Sequence, residues 1–400
     1  MLRIAVTAAL TLLLAAAAPA QDVPFETWRA GFEVRLAERG APPEVIASMM
    51  EGLEPDMRII ERDRSQPEHV RPIWEYIEGA ASPALVEAGR AAQAEHGAVL
   101  AAVEERFGVD ADILTAIWGL ESAFGEIQGN EDVVRALATL AWEGRRRNFA
   151  EAQLFAVAEM IERGLARRDE LKGSWAGAMG QTQFIPTTYL ETAVDFDGEG
   201  HPDIWQSEAD ALGSAANLLR REGWRTGEPV VVEVALPEGF DFAAWNERER
   251  KPVAEWGLAG LTRADGGEWS ADALYLDTRL VIPAGAEGPA FLAFANFDAL
   301  MGYNAATAYA LGVSYLAKAL DGGPSIRQSW PVDNPPISHS ETRALQEALT
   351  ALGYDTRGVD GMAGPNTRAA IRAFQEDHGM APDGYAGRQV YQAVLARAAG

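Results

Sequence analysis

The 400-residue sequence contains no cysteine. Disulfide frameworks, thiol catalysis, cysteine-ligated zinc or iron–sulfur clusters and a lipidated cysteine are therefore excluded. Basic side chains are also scarce, since 34 Lys and Arg face 59 Asp and Glu, for a formal net charge of −25. An acidic chain of this kind repels phosphate backbones, so nucleic acid is not an expected partner. Any chemistry must come from carboxylates, hydroxyls, amides, aromatic rings and five histidines.

Long apolar runs are absent after the first twenty residues. Residues 1–20 carry a single charge, Arg3, and an apolar run that ends in Ala18-Pro19-Ala20. This layout is typical of a secretory signal peptide with a small-residue cleavage site, and a buried N-terminal helix is the alternative. No later stretch reaches the roughly 18 consecutive apolar residues of a membrane span. We expect cleavage near Gln21 and a periplasmic protein without a membrane anchor, because a large core can replace disulfides there.

The rest of the chain divides by its hydrophobic patterning. From residue 24 to about residue 222, apolar residues recur at spacings of three and four, which predicts a mainly α region. The β-branched runs Val230–Val234 and Leu280–Ile282 predict a small β-containing insertion. Residues 321–337 contain four prolines and few apolar residues, which predicts an extended linker. The predicted divisions are a signal peptide at 1–20, a large domain at 21–320, the linker at 321–337 and a C-terminal domain at 338–400.

One carboxylate stands at the end of an apolar helix. Asp110 is placed to cap this predicted helix, Gly125 to end it, and Glu121 to lie in its last turn. The residues three and four positions from Glu121 are bulky and apolar: Ile117, Trp118 and Phe124. Poor hydration and the negative end of the helix dipole both favour the neutral carboxyl, which a general acid needs near neutral pH. The alternative is a glutamate that emerges into solvent.

A second segment, residues 172–188, is dense in small residues and neutral hydrogen-bonding side chains. Each of its glycines would cost about 1 kcal/mol relative to alanine in an ordinary helix. They indicate either a close approach of backbone to a ligand or a tight turn between packed helices. Amide and hydroxyl side chains can bind sugar hydroxyls or amides without adding charge. The glycines are Gly173, Gly177 and Gly180, and the polar residues are Ser174, Gln181 and Gln183.

These two segments resemble the signatures of a known family. The runs IWGLESAFG at 117–125 and GSWAGAMGQTQFIP at 173–186 are similar to those of membrane-bound lytic murein transglycosylase B and its soluble relatives. The resemblance covers roughly residues 24–320 and implies a mainly α, lysozyme-like catalytic domain with the small β-containing insertion. It implies cleavage of the β-1,4 bond between N-acetylmuramic acid and N-acetylglucosamine in peptidoglycan.

The resemblance also assigns residues. It implies that Glu121 is the sole acid/base, which protonates the glycosidic oxygen and then takes the proton of the muramic acid C6 hydroxyl, so that a 1,6-anhydro ring forms without water. Ordinary glycosidases use two carboxylates, but a substrate-assisted route through the N-acetyl group is a known exception, and residues 172–190 contain no acid. Leu218 stands where relatives carry a groove tyrosine. The implied substrate contacts are Ser174, Gln183, Tyr76, Tyr303, Tyr309 and Asn217.

An oxygen-rich loop follows. Residues 195–206 place acids at positions 1, 3, 5 and 9 of a calcium-loop pattern, with Gly200 at position 6 but Gln206 in place of the usual glutamate at position 12. The resembling family carries a calcium loop here, which implies a structural calcium ion, and an acidic turn without metal is the alternative. No organic cofactor is expected. The implied ligands are Asp195, Asp197, Glu199, the backbone carbonyl of His201, and Asp210.

Residues 338–400 predict a small three-helix domain. The pattern over residues 359–375 resembles the peptidoglycan-binding type 1 domain, which implies attachment to the cell wall, and a helical cap without a ligand is the alternative. The sequence as a whole thus predicts a monomeric, wall-attached lytic transglycosylase in the periplasm. Two other functions stay open at this point: a muramidase that adds water, and a non-catalytic wall-binding scaffold.

Overall fold

A computed structural model describes residues 23–64 and 70–400. The predicted signal peptide, residues 1–20, lies outside the described residues. In chain order the helices are α1 (Phe25–Glu38), α2 (Pro43–Met50), α3 (Met57–Arg64), α4 (Ile73–Ala80), α5 (Pro83–Phe107), α6 (Ala111–Ser122), α7 (Val133–Glu143), α8 (Arg147–Glu162), α9 (Pro186–Thr192), α10 (Glu208–Arg221), α11 (Val253–Leu258), α12 (Ala295–Tyr303), α13 (Thr307–Leu320), α14 (His339–Ala351), α15 (Pro365–Asp377) and α16 (Arg388–Ala398). The strands are β1 (Glu131–Asp132), β2 (Lys172–Gly173), β3 (Val231–Ala235), β4 (Lys251–Pro252), β5 (Thr262–Arg263), β6 (Asp277–Val281) and β7 (Ala290–Ala293).

The described chain forms two compact units. The first is built from the described residues of 23–64, 83–226 and 302–305, and the second from those of 70–82, 227–301 and 306–400. Within the described ranges, no helix has both the length and the apolar character needed to cross a membrane. The cut between the units differs from the predicted domain divisions, because the insertion and the C-terminal helices fall in one unit. The predicted divisions therefore stay a prediction.

The first unit is helical and is organised around α6. This helix is buried on nearly all sides, from Ile113 to Gly119, as expected of a helix that is apolar all round. It packs against α5 and α10, while α7 packs along α8. Strands β1 and β2 form a two-stranded antiparallel sheet in which Glu131 lies opposite Gly173. This small sheet carries the chain directly into the second signature segment.

The second unit contains the small β-containing insertion and the three C-terminal helices, as predicted. Its five antiparallel strands are ordered β4-β6-β7-β3-β5, and their apolar face packs around Val234, Leu280 and Phe294. Helices α14, α15 and α16 enclose a separate core that includes Leu349 and Phe374. The mainly α fold class is confirmed. Residues 321–337 form no helix or strand in the described structure.

The C-terminal helices are tied by a repeated loop contact. The Gln346 side chain donates to Asp360 at 2.7 Å and accepts from the Gly361 N–H at 2.8 Å. Gln375 makes the same pair of bonds to Asp383 and the Gly384 N–H, each at 2.8 Å. Each glutamine therefore closes an Asp-Gly turn through both ends of its amide, which assigns Asp360 to the stability of its own loop.

One half-buried lysine links α13 to the insertion. The Lys318 ammonium donates to the Val231 carbonyl at 3.1 Å and lies 4.5 Å from the centre of the Tyr315 ring. Burial lowers the pKa of Lys318 from 10.5 to about 8, although the Glu233 carboxylate opposes this shift. Between these two pH values the unfolded chain holds a proton that the folded chain has lost. The free energy of unfolding should therefore rise with pH across that window.

We expect Lys318→Met to remove this rise. The free energy of unfolding of the wild type, minus that of the variant, should increase by roughly 1–3 kcal/mol between pH 8 and pH 10.5. Urea unfolding at both pH values measures this difference. The matched control is Lys251→Met. In the wild type the Lys251 ammonium pairs with Glu249 at 3.0 Å, and the lysine side chain is 34% exposed. Parallel stability curves for wild type and Lys318→Met would contradict the prediction.

Candidate active site

Glu121 lies in the last turn of α6, half-buried. Asp110 occupies the N-cap position, but its side chain makes no capping hydrogen bond. The helix ends at Ser122 and not at Gly125, because Ala123 and Phe124 already adopt left-handed backbone, with φ of 50° and 60°. Glu121 is therefore followed at once by a sharp change of chain direction.

The tertiary packing of Phe124 explains this early end. Left-handed backbone costs an ordinary residue about 1–2 kcal/mol. The Phe124 ring packs edge-on to Trp118, with centroids 5.7 Å apart, and covers Gly119, where an added Cβ would lie 2.7 Å from the ring. Burial of the aromatic ring offsets the backbone strain, and strain of this kind is common beside functional residues.

Gln181 joins the two signature segments. Its side-chain oxygen accepts from the Trp118 indole N–H at 2.8 Å, and its amide nitrogen donates to the Trp205 carbonyl at 3.3 Å. The side chain is 2% exposed and lies over Gly125, where an added Cβ would meet it at 2.7 Å. Gln181 thus has a structural role in the protein interior and not a role in ligand binding. Nothing in its local sequence distinguishes it from Gln183.

The glycines of the second segment follow the tight-turn interpretation. Gly177 and Gly180 adopt φ of 88° and 69°, and an added Cβ at Gly180 would lie 2.7 Å from Ile204. At Gly173 an added Cβ would overlap the carbonyl oxygen of Ala178. The close approach that these glycines permit is an approach of the loop to itself and to its neighbours.

Ser174 and Gln183 lie on this tight loop. The Ser174 hydroxyl oxygen accepts from the Ala178 N–H at 3.0 Å, which leaves its hydrogen available to donate. Gln183 has a φ of 50°, and its amide nitrogen donates to the carbonyls of Gln128 and Gly180 at 3.0 and 2.9 Å. Its side-chain oxygen is the end of the amide that can accept from a ligand.

Tyr303 completes the group around Glu121. Its hydroxyl donates to the Thr182 carbonyl at 2.6 Å, and its ring contacts Phe184, with centroids 5.9 Å apart. Burial raises the pKa of Tyr303 well above its ordinary value, and the nearby negative charge of Glu121 raises it further. The structure thus brings Glu121, the second signature segment and Tyr303 together, and their roles in catalysis and substrate binding stay predictions.

The remaining predicted contacts are described by their own neighbours. Asn217 donates to the Thr192 carbonyl at 2.8 Å and ties α10 to the end of α9. Leu218, at the departure from the family pattern, is buried. Tyr76 and Tyr309 belong to the second unit, where the Tyr76 ring lies against Gly312 of α13 and Tyr309 is buried. Their roles as substrate contacts stay predictions.

The predicted calcium loop brings three carboxylates together. Oxygen atoms of Asp195, Asp197 and Asp210 all lie within 4.8 Å of one another. Asp210 is 1% exposed and accepts from the N–H groups of Phe196, Asp197 and Asp203, and burial raises its pKa. Like charges at this separation repel, so the residues fit a divalent cation that would offset the repulsion. The side chains of Glu199 and His201 are exposed and stand outside the converging set.

Comparison with known families identifies both parts of the chain. The profile described as "Transglycosylase SLT domain" matches residues 24–318. The chain belongs to this transglycosylase family. A second profile, described as "Putative peptidoglycan binding domain", matches residues 338–394. Together the two matches confirm the resemblances drawn from the signature segments and from the C-terminal helices.

Several individual proteins are similar to this family member. Membrane-bound lytic murein transglycosylase B of Escherichia coli is 34% identical over 227 residues, which span 54% of this chain and 58% of that relative's length. The structure of SltB3 from Pseudomonas aeruginosa with NAG-anhNAM-pentapeptide is 45% identical, with a TM-score of 0.89 over 93% of this chain and 99% of that one. The Escherichia coli lytic transglycosylase Slt35, in complex with calcium, shares the fold at 24% identity, with a TM-score of 0.64 over 73% of this chain and 92% of that one.

Proposed function

We propose that this protein is a peptidoglycan lytic transglycosylase in which Glu121 is the only acid/base. The observation that carries the proposal is the position of Glu121, half-buried at the end of the apolar helix α6 and beside the buried Tyr303. Residues 172–190, which carry Ser174 and Gln183, contain no second carboxylate. A single half-buried carboxylate beside an aromatic ring suits a reaction that does not use a water nucleophile.

The first step breaks the glycosidic bond. The Glu121 carboxyl donates its proton to the glycosidic oxygen between N-acetylmuramic acid and N-acetylglucosamine, and the sugar C1–O bond breaks. The N-acetyl oxygen of the muramic acid stabilises the positive charge that develops at C1, in place of a second protein carboxylate. Glu121 is then a carboxylate and the N-acetylglucosamine end leaves as a neutral alcohol.

The second step closes the ring. The Glu121 carboxylate takes the proton of the muramic acid C6 hydroxyl as O6 attacks C1, which forms the 1,6-anhydro bond and restores the carboxyl. No atom of water enters, so the proton balance closes on one side chain. SltB3 of Pseudomonas aeruginosa has been solved with both NAG-NAM-pentapeptide and NAG-anhNAM-pentapeptide, and this pair of ligands supports the same chemistry here.

Ser174 and Gln183 are proposed to orient the reacting sugar. The free donor of the Ser174 hydroxyl and the side-chain oxygen of Gln183 present one donor and one acceptor from a rigid loop. The Tyr303 ring, held by the Thr182 carbonyl, supplies an aromatic wall beside Glu121. Tyr76, Tyr309 and Asn217 keep the roles that the family resemblance implies.

Product mass tests the reaction. Wild-type protein should release muropeptides from purified sacculi whose muramic acid ends are 1,6-anhydro, lighter by one water than reducing ends, when the digest is analysed by mass spectrometry. Reducing ends throughout would identify a muramidase and refute the transglycosylase proposal. If neither a short nor a long incubation releases soluble fragments, the result would favour a non-catalytic wall-binding scaffold.

We also propose that the chain acts in the periplasm as a monomer, attached to the wall through residues 338–394. The match to a peptidoglycan-binding domain supports the attachment. The Glu121→Gln protein, which cannot digest its target, should sediment with intact sacculi. Recovery of all the protein in the supernatant would argue against attachment.

A structural calcium ion is proposed for the acidic loop. Asp195, Asp197 and Asp210 would hold it, and its positive charge would fasten the loop to the start of α10. Glu199 and the carbonyl of His201 complete the ligand set implied by the family pattern. The ion has no part in the proposed proton transfers.

We expect millimolar calcium to raise the melting temperature of chelator-treated protein. A ligand that binds only the folded state adds about 1.4 kcal/mol for each tenfold excess over its Kd. Asp210→Asn keeps an oxygen for the loop N–H groups but removes the buried charge, and should abolish the calcium response. The control Glu191→Gln, which alters an exposed glutamate outside the ligand set, should retain the full response. Equal melting temperatures with chelator and with calcium would contradict the prediction.

A further inference from the structure

The first unit contains a cavity of about 570 Å³ beside residues 125–129, the stretch of chain that follows α6. Its walls come from the segments 125–129, 165–172 and 201–206. Glu121, Ser174 and Gln183 do not line it. The volume falls within the range of about 300–1,000 Å³ typical of small-molecule sites. The cavity is therefore large enough for a ligand and separate from the catalytic residues.

Trp205 provides a fixed aromatic wall. Its indole N–H donates to the Lys172 carbonyl at 3.2 Å, and its ring contacts Tyr189, with centroids 5.7 Å apart. Tyr189 is itself held by the Pro202 carbonyl, to which its hydroxyl donates at 2.5 Å. The ring orientation is thus set before any ligand arrives. A fixed indole beside polar groups suits a ligand with one apolar face and polar edges.

The polar groups around Trp205 are of both signs. Glu126 and Glu170 offer carboxylate acceptors, Lys172 offers an ammonium donor, and Gln206 offers both an acceptor and a donor. An anionic ligand would be repelled by the carboxylates of Glu126, Glu170 and Asp203, and a cationic ligand by the Lys172 ammonium. A neutral ligand rich in hydroxyl and amide groups can use every one of these partners. An N-acetylhexosamine has this chemistry, with C–H faces for the indole and hydroxyl edges for the carboxylates.

Gln128 connects this cavity to the catalytic loop. Its backbone carbonyl accepts from Gln183 at 3.0 Å, while its side chain lines the cavity and donates to the carbonyls of Gly125 and Trp205 at 3.1 and 3.0 Å. Gln128 thus lines the cavity and also holds the side chain of Gln183. The glycan strand of the proposed function is a polymer of N-acetylhexosamines, so it also supplies sugar units for this cavity.

We propose that this cavity is a second saccharide site, which binds an N-acetylhexosamine unit of a glycan strand through Trp205 and Glu126. The choice of sugar rests on the proposed function, because that function supplies the polymer. The binding itself does not require Glu121 or any turnover. The proposal of a second saccharide site and the proposed transglycosylase function can therefore fail independently.

The test uses the full chain with Glu121→Gln, labelled with 5-fluorotryptophan and titrated with chitotriose. The Trp205 fluorine signal, assigned through Trp205→Phe, should shift and saturate. Glu126→Ala should weaken this binding about fivefold through the loss of a sugar hydrogen bond. The matched control is Glu162→Ala, an exposed glutamate outside the cavity, which should bind as the parent does.

Two results would overturn the proposal. One is a Trp205 signal that stays unchanged at millimolar chitotriose. The other is a signal that moves with a sugar-free stem pentapeptide and not with chitotriose, which would make the cavity a peptide site. Anhydro-muropeptide release by the wild type, measured in parallel, shows in either case whether the proposed function still stands.

Discussion

Glu121→Gln is expected to lower the initial rate of muropeptide release from sacculi by about 10²–10⁴-fold. The substituted amide has nearly the shape of the carboxyl but cannot give up a proton to the glycosidic oxygen, and it cannot take one from the C6 hydroxyl. Because one side chain serves both steps, neither step retains its catalyst. Chromatography of soluble products at several early time points measures the rate.

The control separates chemistry from folding. Glu162→Gln alters an exposed glutamate at the last residue of α8, so it matches Glu121 in residue type and in helix position. It should release muropeptides at the wild-type rate, and both variants should melt close to the wild-type temperature. A Glu121→Gln rate within tenfold of wild type would show that another group carries the proton transfer.

Gln181→Leu should lower the free energy of unfolding by about 2–4 kcal/mol. Leucine fills a similar volume but leaves the buried Trp118 indole N–H without its acceptor, a penalty of about 1–3 kcal/mol, and also removes the bond to the Trp205 carbonyl. Urea unfolding measures the loss. Gln206→Leu, at an exposed glutamine of the same unit, should change stability by less than about 0.5 kcal/mol.

A double-mutant cycle assigns the loss to the Trp118 bond. Trp118→Phe removes the indole donor, so Gln181→Leu should be about 1–2 kcal/mol less damaging in that background than in the wild type. Additive effects of the two substitutions would show that the hydrogen bond contributes nothing, and that Gln181 acts only by filling space over Gly125.

The position of Glu121 was predictable because it depends on local patterning. Apolar residues at helical spacing define α6, and a helix of known start places a residue of known number in its last turn. The early end at Ser122 was not predictable by the same means. It depends on the packing of the Phe124 ring over Gly119 and Trp118, and propensity alone favours glycine, not alanine or phenylalanine, in left-handed backbone.

The second signature segment shows the same limit. Its small residues predicted that another group approaches the backbone closely, but they did not indicate whether that group is a ligand or a part of the protein. Gly180 is small because Ile204 lies against it, and Gly177 because Leu137 does. These neighbours are far away in sequence, so no periodicity or propensity within the segment points to them. The cavity beside Trp205 likewise left no local signal.

The sequence alone determined which chemical groups this protein can use, where its helices run and which family signatures it carries, since these depend on residue types and short spacings. Only the tertiary structure decided which groups meet. Trp118 and Gln181 share a hydrogen bond across 63 residues, and Tyr303 reaches the Thr182 carbonyl across 121. Contacts of this kind are set by the path of the whole chain, because an acceptor is useful only where the fold brings a donor within about 3 Å of it.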